Sequence, residues 1–171
     1  MLPALRAGPS AVAVFEEKVQ GCMPQMRWLC ELYGGQINPF DPKREYEPEA
    51  ILEKAYHHEQ CDEKTVELYL QIQLDWLEWG AHHFPDCCLT TKQLYLDTIN
   101  KIEAILREHP VEERKRELFR YFKVLYCCYY QYQESEKTKD YYQLCKEEGL
   151  CVMPYGDGYD VCMPQSAKSR I

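Results

Sequence analysis

The sequence contains no glycine-rich phosphate loop, no G-x-G-x-x-G, no G-x-S-x-G and no H-E-x-x-H. Phosphate cradling at a helix N-terminus, attack by a serine held on a sharp strand-to-helix turn, and helix-borne zinc hydrolysis each need one of those spacings. None of the three is the expected chemistry. Acids and histidines do occur as neighbours, Glu59 beside His58 for example, but no nucleophile, base and oxyanion donor fall into one arrangement. The expectation is a chain that is not an enzyme and holds no cofactor. Long apolar runs are also missing. The uncharged tracts Ala7 to Phe15 and Val124 to Gln133 stop well short of the roughly 18 consecutive apolar residues that a membrane helix needs, so no membrane span is expected, although association with a membrane complex stays open. The N-terminal MLPALRAGPSAVAVFEEK lacks the basic start and apolar core of a secretory signal and is only faintly like an organellar presequence.

Positive charge is scarce. Lys and Arg number 20 against 28 Asp and Glu, a net charge of −8, which opposes a phosphate backbone and disfavours nucleic acid as a partner. The one dense basic run, Arg114-Lys115-Arg116, sits among Glu112, Glu113 and Glu117 and reads as a solvated helix face with a Glu112–Arg116 pair one turn apart.

What the chain has in excess is 14 Tyr and 10 Cys in 171 residues, a length that fits one domain with a real core. Its widest apolar helical surface runs from Asp62 to Phe84. At about 100° per residue, Val66, Leu70, Leu74, Leu77, Ala81 and Phe84 form one stripe, and Tyr69, Ile72, Trp76 and Trp79 a second beside it. Glu67, Gln71, Asp75, Glu78 and His82 fill the narrow polar wedge that remains. A helix apolar over most of its circumference must be surrounded, so this one is expected at the centre of a bundle. Asp62 suits its N-cap, and Gly80 and Pro85 weaken and end it.

Around it the periodicity predicts a helix opened by Pro48 and running through Glu59, with Ile51, Leu52, Ala55 and Tyr56 inward. Thr90 and Gln93 have capping-box spacing before a helix whose face carries Tyr95, Thr98, Ile99, Ile102, Leu106 and His109. After Pro110, residues 111–134 carry Leu118, Phe122, Leu125, Tyr129 and Tyr132, and a last helix from Thr138 stops at Gly149. Short connections make such helices antiparallel neighbours. The expected fold is therefore all-α, an antiparallel helical bundle of four to five principal helices with extended N- and C-terminal arms. Residues 1–47 are read as short helices and an arm, 48–149 as the bundle core, and 150–171 as a tail. In that tail CVMPYGDGYDVC is nearly palindromic, which as a hairpin sets Val152 opposite Val161 and Cys151 opposite Cys162.

Two His/Cys clusters flank the central stretch: His57, His58 and Cys61 on one side, His82, His83, Cys87 and Cys88 on the other. His57 with Cys61, and His83 with Cys87, have one-turn spacing that suits zinc, yet an intervening helix of this length holds the clusters about 30 Å apart. Capping, surface or core roles outweigh a metal site. The cysteines suit either buried thiols, which behave as small hydrophobes, or disulfides of an oxidising compartment. The adjacent pairs Cys87-Cys88 and Cys127-Cys128, in apolar or aromatic settings, favour buried thiols, and the cysteine intervals depart from the paired Cys-x9-Cys of helical-hairpin proteins of the mitochondrial intermembrane space. Cys151 with Cys162 is the one pair whose hairpin positions suit a disulfide. The fragment CMPQ occurs twice, at Cys22 and Cys162, with no physical account, and the terminal Ser169-Arg170-Ile171 departs from the peroxisomal signal it loosely follows.

Tyrosine pairs an apolar ring with a polar tip and suits half-buried protein interfaces. Trp28, Phe40, Tyr126, Tyr129, Tyr130 and Tyr132 are the expected interface residues, with a bundle-core role as the alternative for the tyrosines. The functional expectation is a non-catalytic accessory subunit that packs against other protein subunits of a large multiprotein assembly, set by analogy in a mitochondrial complex, with the cytoplasm as the alternative. The competing reading is a disulfide- or zinc-stabilised thiol protein with a redox or metal-handling role.

Overall fold

A computed structural model describes residues 48–150 and two short strands beyond them. The expected arm over 1–47, with Trp28 and Phe40, lies outside the described residues, as do Cys151 and Cys162. The described part is all-α, a helical bundle of five helices: α1 (Pro48–Tyr56), α2 (Glu63–Ala81), α3 (Lys92–Glu108), α4 (Glu113–Glu134) and α5 (Tyr141–Glu147). Strands β1 (Val152–Met153) and β2 (Asp160–Val161) pair antiparallel, with Val152 opposite Val161, the register that the palindromic sequence predicts. The chain forms two compact units, Met1–Tyr69 and Leu70–Ile171, so their boundary falls inside α2.

In the first unit, α1 turns Ile51, Leu52 and Ala55 inward, and the opening turns of α2 bury Val66 and Tyr69. Asp62 caps α2 as its sequence position predicts: its carboxylate accepts from the Thr65 amide at 2.8 Å and from the Thr65 hydroxyl at 2.7 Å. The Tyr69 ring lies 5.0 Å from that of Tyr56, and its hydroxyl donates to Glu53 at 3.1 Å.

In the second unit, α3 and α4 form an antiparallel hairpin. Exposed pairs mark its register, Lys123 with Glu103 at 2.7 Å and Lys92 with Glu134 at 3.9 Å; such pairs add little stability in water. The tight end of the hairpin is held differently. Arg116 is expected to pair with Glu112, but its guanidinium instead donates to the carbonyls of Leu106 at 3.0 Å, Val111 at 3.3 Å and His109 at 3.4 Å. The Leu106 and His109 carbonyls sit at the end of α3, where acceptors lack intrahelical donors and the helix dipole is negative, so a cation there satisfies both, and the Val111 carbonyl belongs to the turn that follows. Thr91, one residue beyond the expected Thr90, caps α3 by accepting from the Leu94 amide. Asp140 caps α5, which starts later than the sequence pattern implies. Gly149, at φ 79°, ends α5 as expected, with the Leu150 amide reaching back to the Cys145 carbonyl at 2.8 Å.

Gly80 has a different reason to be glycine. A Cβ there would run into the Tyr126 hydroxyl and would lie 2.8 Å from the Thr90 methyl. Tyr126, fully buried, uses that space to donate to the Leu77 carbonyl at 3.1 Å. Phe84 follows and stacks on Tyr129 at 4.0 Å, with Tyr126 edge-on at 4.9 Å. Ile99, Ile102 and Ile105 of α3, Phe119, Phe122 and Leu125 of α4, and Leu70, Leu74 and Leu77 of α2 complete the core.

Two substitutions test these contacts by chemical denaturation. Gly80→Ala gains about 1 kcal/mol of helix propensity but incurs overpacking of about 1–3 kcal/mol, so net destabilisation is expected. Its cost is expected to shrink in a Tyr126→Phe background, because the hydroxyl that meets the new methyl is gone. Arg116→Met removes three carbonyl contacts and is expected to cost on the order of 1 kcal/mol.

Candidate interaction surface

The second apolar stripe of α2 is where sequence and structure part. The first stripe is buried at Val66, Leu70, Leu74, Leu77 and Phe84, as expected, but the second is covered only at Tyr69. Ile72 and Trp76 are half-buried, and Trp79 is 51% exposed. The helix is thus not surrounded: the side expected to pack inward stays open along its C-terminal half. The two indoles meet edge to face, 5.5 Å between centroids and 88° between planes. With Ile72 and Asp75 they line an open hollow of about 300 Å³. The exposed Asp75 carboxylate is steadied by the Gln71 amide at 2.8 Å. On α3, Leu94 and Leu96 are likewise exposed, at 40% and 43%, and lie off the Tyr95–Ile102 face.

The tyrosines divide. Tyr126 and Tyr129 are core residues of the second unit, while Tyr130 and Tyr132 are half-buried. Tyr130 has the Lys92 ammonium 5.0 Å from its ring centroid, and its buried hydroxyl has no hydrogen-bond partner among the described residues. Burial, with lesser help from Cys88 and nearby tyrosines, pushes Tyr130 up to about 12. Burial likewise raises Tyr69, Tyr95, Tyr126, Tyr129 and Tyr141.

The expected metal candidates do not assemble. His57 packs edge-on against Tyr56, His58 accepts from the Gln60 amide, and the half-buried Cys61 has its thiol raised by burial and by the Asp62 charge. His83 contacts His82, and both His83 and Cys87 face solvent. Among the described residues no three His, Cys, Asp or Glu side chains come together as a metal site. The thiols that do meet are Cys128 of α4 and Cys145 of α5, both fully buried beside Tyr141. The two neighbouring thiols shift each other, Cys128 up and Cys145 down, while burial opposes ionisation of either; the buried Tyr141 hydroxyl has no hydrogen-bond partner among the described residues. Sequence spacing offered no sign of this pair, since 128 and 145 meet only through the turn between α4 and α5.

No protein-family model, no curated protein and no solved structure matches the chain. No helix among the described residues is long and apolar enough to cross a membrane.

Two measurements follow from the buried rings and thiols. Phenols ordinarily titrate near 10; with folded values raised, the unfolded chain loses its protons first as pH increases. The stability from keeping these tyrosines neutral is complete below about pH 10 and falls as pH rises through the folded value of Tyr130, about 12. Thermal midpoints are expected to hold between pH 9 and pH 10 and to drop between pH 10 and pH 11. Of the adjacent pairs expected to be buried, Cys87 and Cys127 are exposed because each falls on the solvent side of its backbone; peptide-resolved alkylation of the native protein is expected to modify these two readily, and Cys128 and Cys145 only on unfolding.

Proposed function

We propose that this chain is a non-catalytic subunit that packs against other proteins in a larger assembly. The observation that carries this reading is the open second stripe of α2, with Trp79 51% exposed beside Trp76 and Ile72. Burying a large aromatic side chain is worth about 1.5–3 kcal/mol, and the second unit fills its own core with Phe84, Tyr126 and Tyr129 while leaving this indole out. Interfaces are enriched in Trp and short of charge at their centres, and their binding energy concentrates on such residues. Exposed Leu94 and Leu96 extend the same tendency to α3. A mitochondrial setting belongs to this reading as its proposed compartment.

The thiol reading draws on one specific feature, Cys145, whose pKa is lowered by the neighbouring Cys128 thiol. Against it stands the complete burial of both sulfurs, which denies them to redox partners.

The deciding experiment is native electrophoresis of the protein from its source cells, after fractionation, with co-migrating proteins identified by mass spectrometry. Migration within a defined large complex is the expected result, and a mitochondrial fraction would place it there. Migration as a monomer, with rapid alkylation of Cys145, would overturn the subunit reading in favour of the thiol one.

A further inference from the structure

We propose that the hollow formed by Trp76, Trp79 and Asp75 is a docking site for an arginine set among apolar residues on a partner protein, an inference that rests on the protein-packing reading above and names the partner's chemistry. The two indole planes stand at 88° with centroids 5.5 Å apart, and so make two walls of a corner. Ile72 and Asp75 also line the hollow, which encloses about 300 Å³ and stays open to solvent. That volume lies at the small end of ligand sites, and the hollow is open, which suits one side chain offered from a surface better than an enclosed metabolite.

The charge around the corner selects the occupant. Within the second unit's part of α2, Leu70 to Ala81, the chain has no Lys or Arg, while Asp75 and Glu78 are both exposed. An anion entering the corner meets the Asp75 carboxylate that lines it. A wholly apolar insert would strip water from the Asp75 carboxylate without replacing its hydrogen bonds, a costly exchange. A cation gains on both counts. The face of an indole is the aromatic surface that attracts cations best, and Asp75 supplies the counter-charge. One Asp75 oxygen accepts from Gln71 at 2.8 Å, which orients the carboxylate and leaves the other oxygen uncommitted among the described residues. Guanidinium fits this combination better than ammonium, because its planar fork stacks on a ring while donating in-plane to a carboxylate. The apolar neighbours of such an arginine would cover Ile72 and the outer edge of Trp79.

The test uses the full-length protein as the target for selection from a displayed random-heptapeptide library, in parallel with Trp79→Ala and Asp75→Asn. Both side chains are exposed, so both variants are expected to fold, with unchanged circular dichroism. Enriched sequences are expected to pair Arg with apolar residues. A synthetic peptide from that set is expected to bind about fivefold more weakly when its Arg is replaced by the neutral isostere citrulline, and about threefold or more weakly to either variant. Enrichment of acidic or uncharged sequences, no enrichment, or equal binding to citrulline would overturn the proposal. Arginine peptides that bind both variants as well as the parent would also overturn it, while leaving intact the reading of a protein-binding subunit, which the native-complex measurement decides separately.

Discussion

The second unit depends on one close approach, the hydroxyl of Tyr126 seated over Gly80. A tyrosine reaching from α4 can end against the backbone of α2 only where α2 offers no side chain, and Gly80 is that gap. The hydroxyl then donates to the Leu77 carbonyl, so the polar tip is satisfied in the interior. An isolated hydroxyl buried there would cost a few kcal/mol. Steric room and hydrogen bond are one requirement seen from two sides. Both glycines with a structural role illustrate different physics: Gly80 supplies space, whereas Gly149 has nothing near its absent Cβ and supplies a left-handed backbone.

Rings assemble around that contact. Tyr95 stacks on Tyr126 at 4.3 Å, Phe84 stacks on Tyr129, and Tyr132 meets Tyr141 edge-on at 5.9 Å. Much of the tyrosine excess is thereby used inside the unit, as ring-to-ring contacts that carry geometric preference as well as area. Trp76 and Trp79 stand apart from this cluster, on the open side of α2. Aromatic residues serve two ends in this chain, and exposure separates them.

How far the sequence made this visible depended on whether the cause was local. Asp62, Pro48 and Gly149 act through their own helix ends, and each was legible from its neighbours. So was the Val152–Val161 register, because a palindrome fixes opposing partners. Thr90 carried the capping-box spacing with Gln93, which Thr91 with Leu94 lacks, yet Thr91 is the cap and Thr90 lies beside Gly80, a tertiary contact that the local spacing does not show. Gly80 itself reads as a helix weakener when its neighbour 46 positions later is unknown. The second stripe of α2 failed for a related reason: periodicity shows that a face is apolar but not what lies against it. Ile105 completes the core though the expected face ran from Ile102 to Leu106, a slip of one residue within a helical turn.

The clasp of Arg116 on the end of α3 spans 10 residues of chain, and the bond from Tyr126 to Leu77 spans 49. Loop-closure entropy grows with the logarithm of that separation, which puts the longer closure about 1.4 kcal/mol behind the shorter. The α3–α4 hairpin is therefore the cheap join in this unit and the seat of Tyr126 against α2 the dear one. The dear join is also where the stacked rings, the buried hydroxyl and the missing Cβ coincide, so the chain has concentrated its most specific contacts at the point where chain entropy resists most.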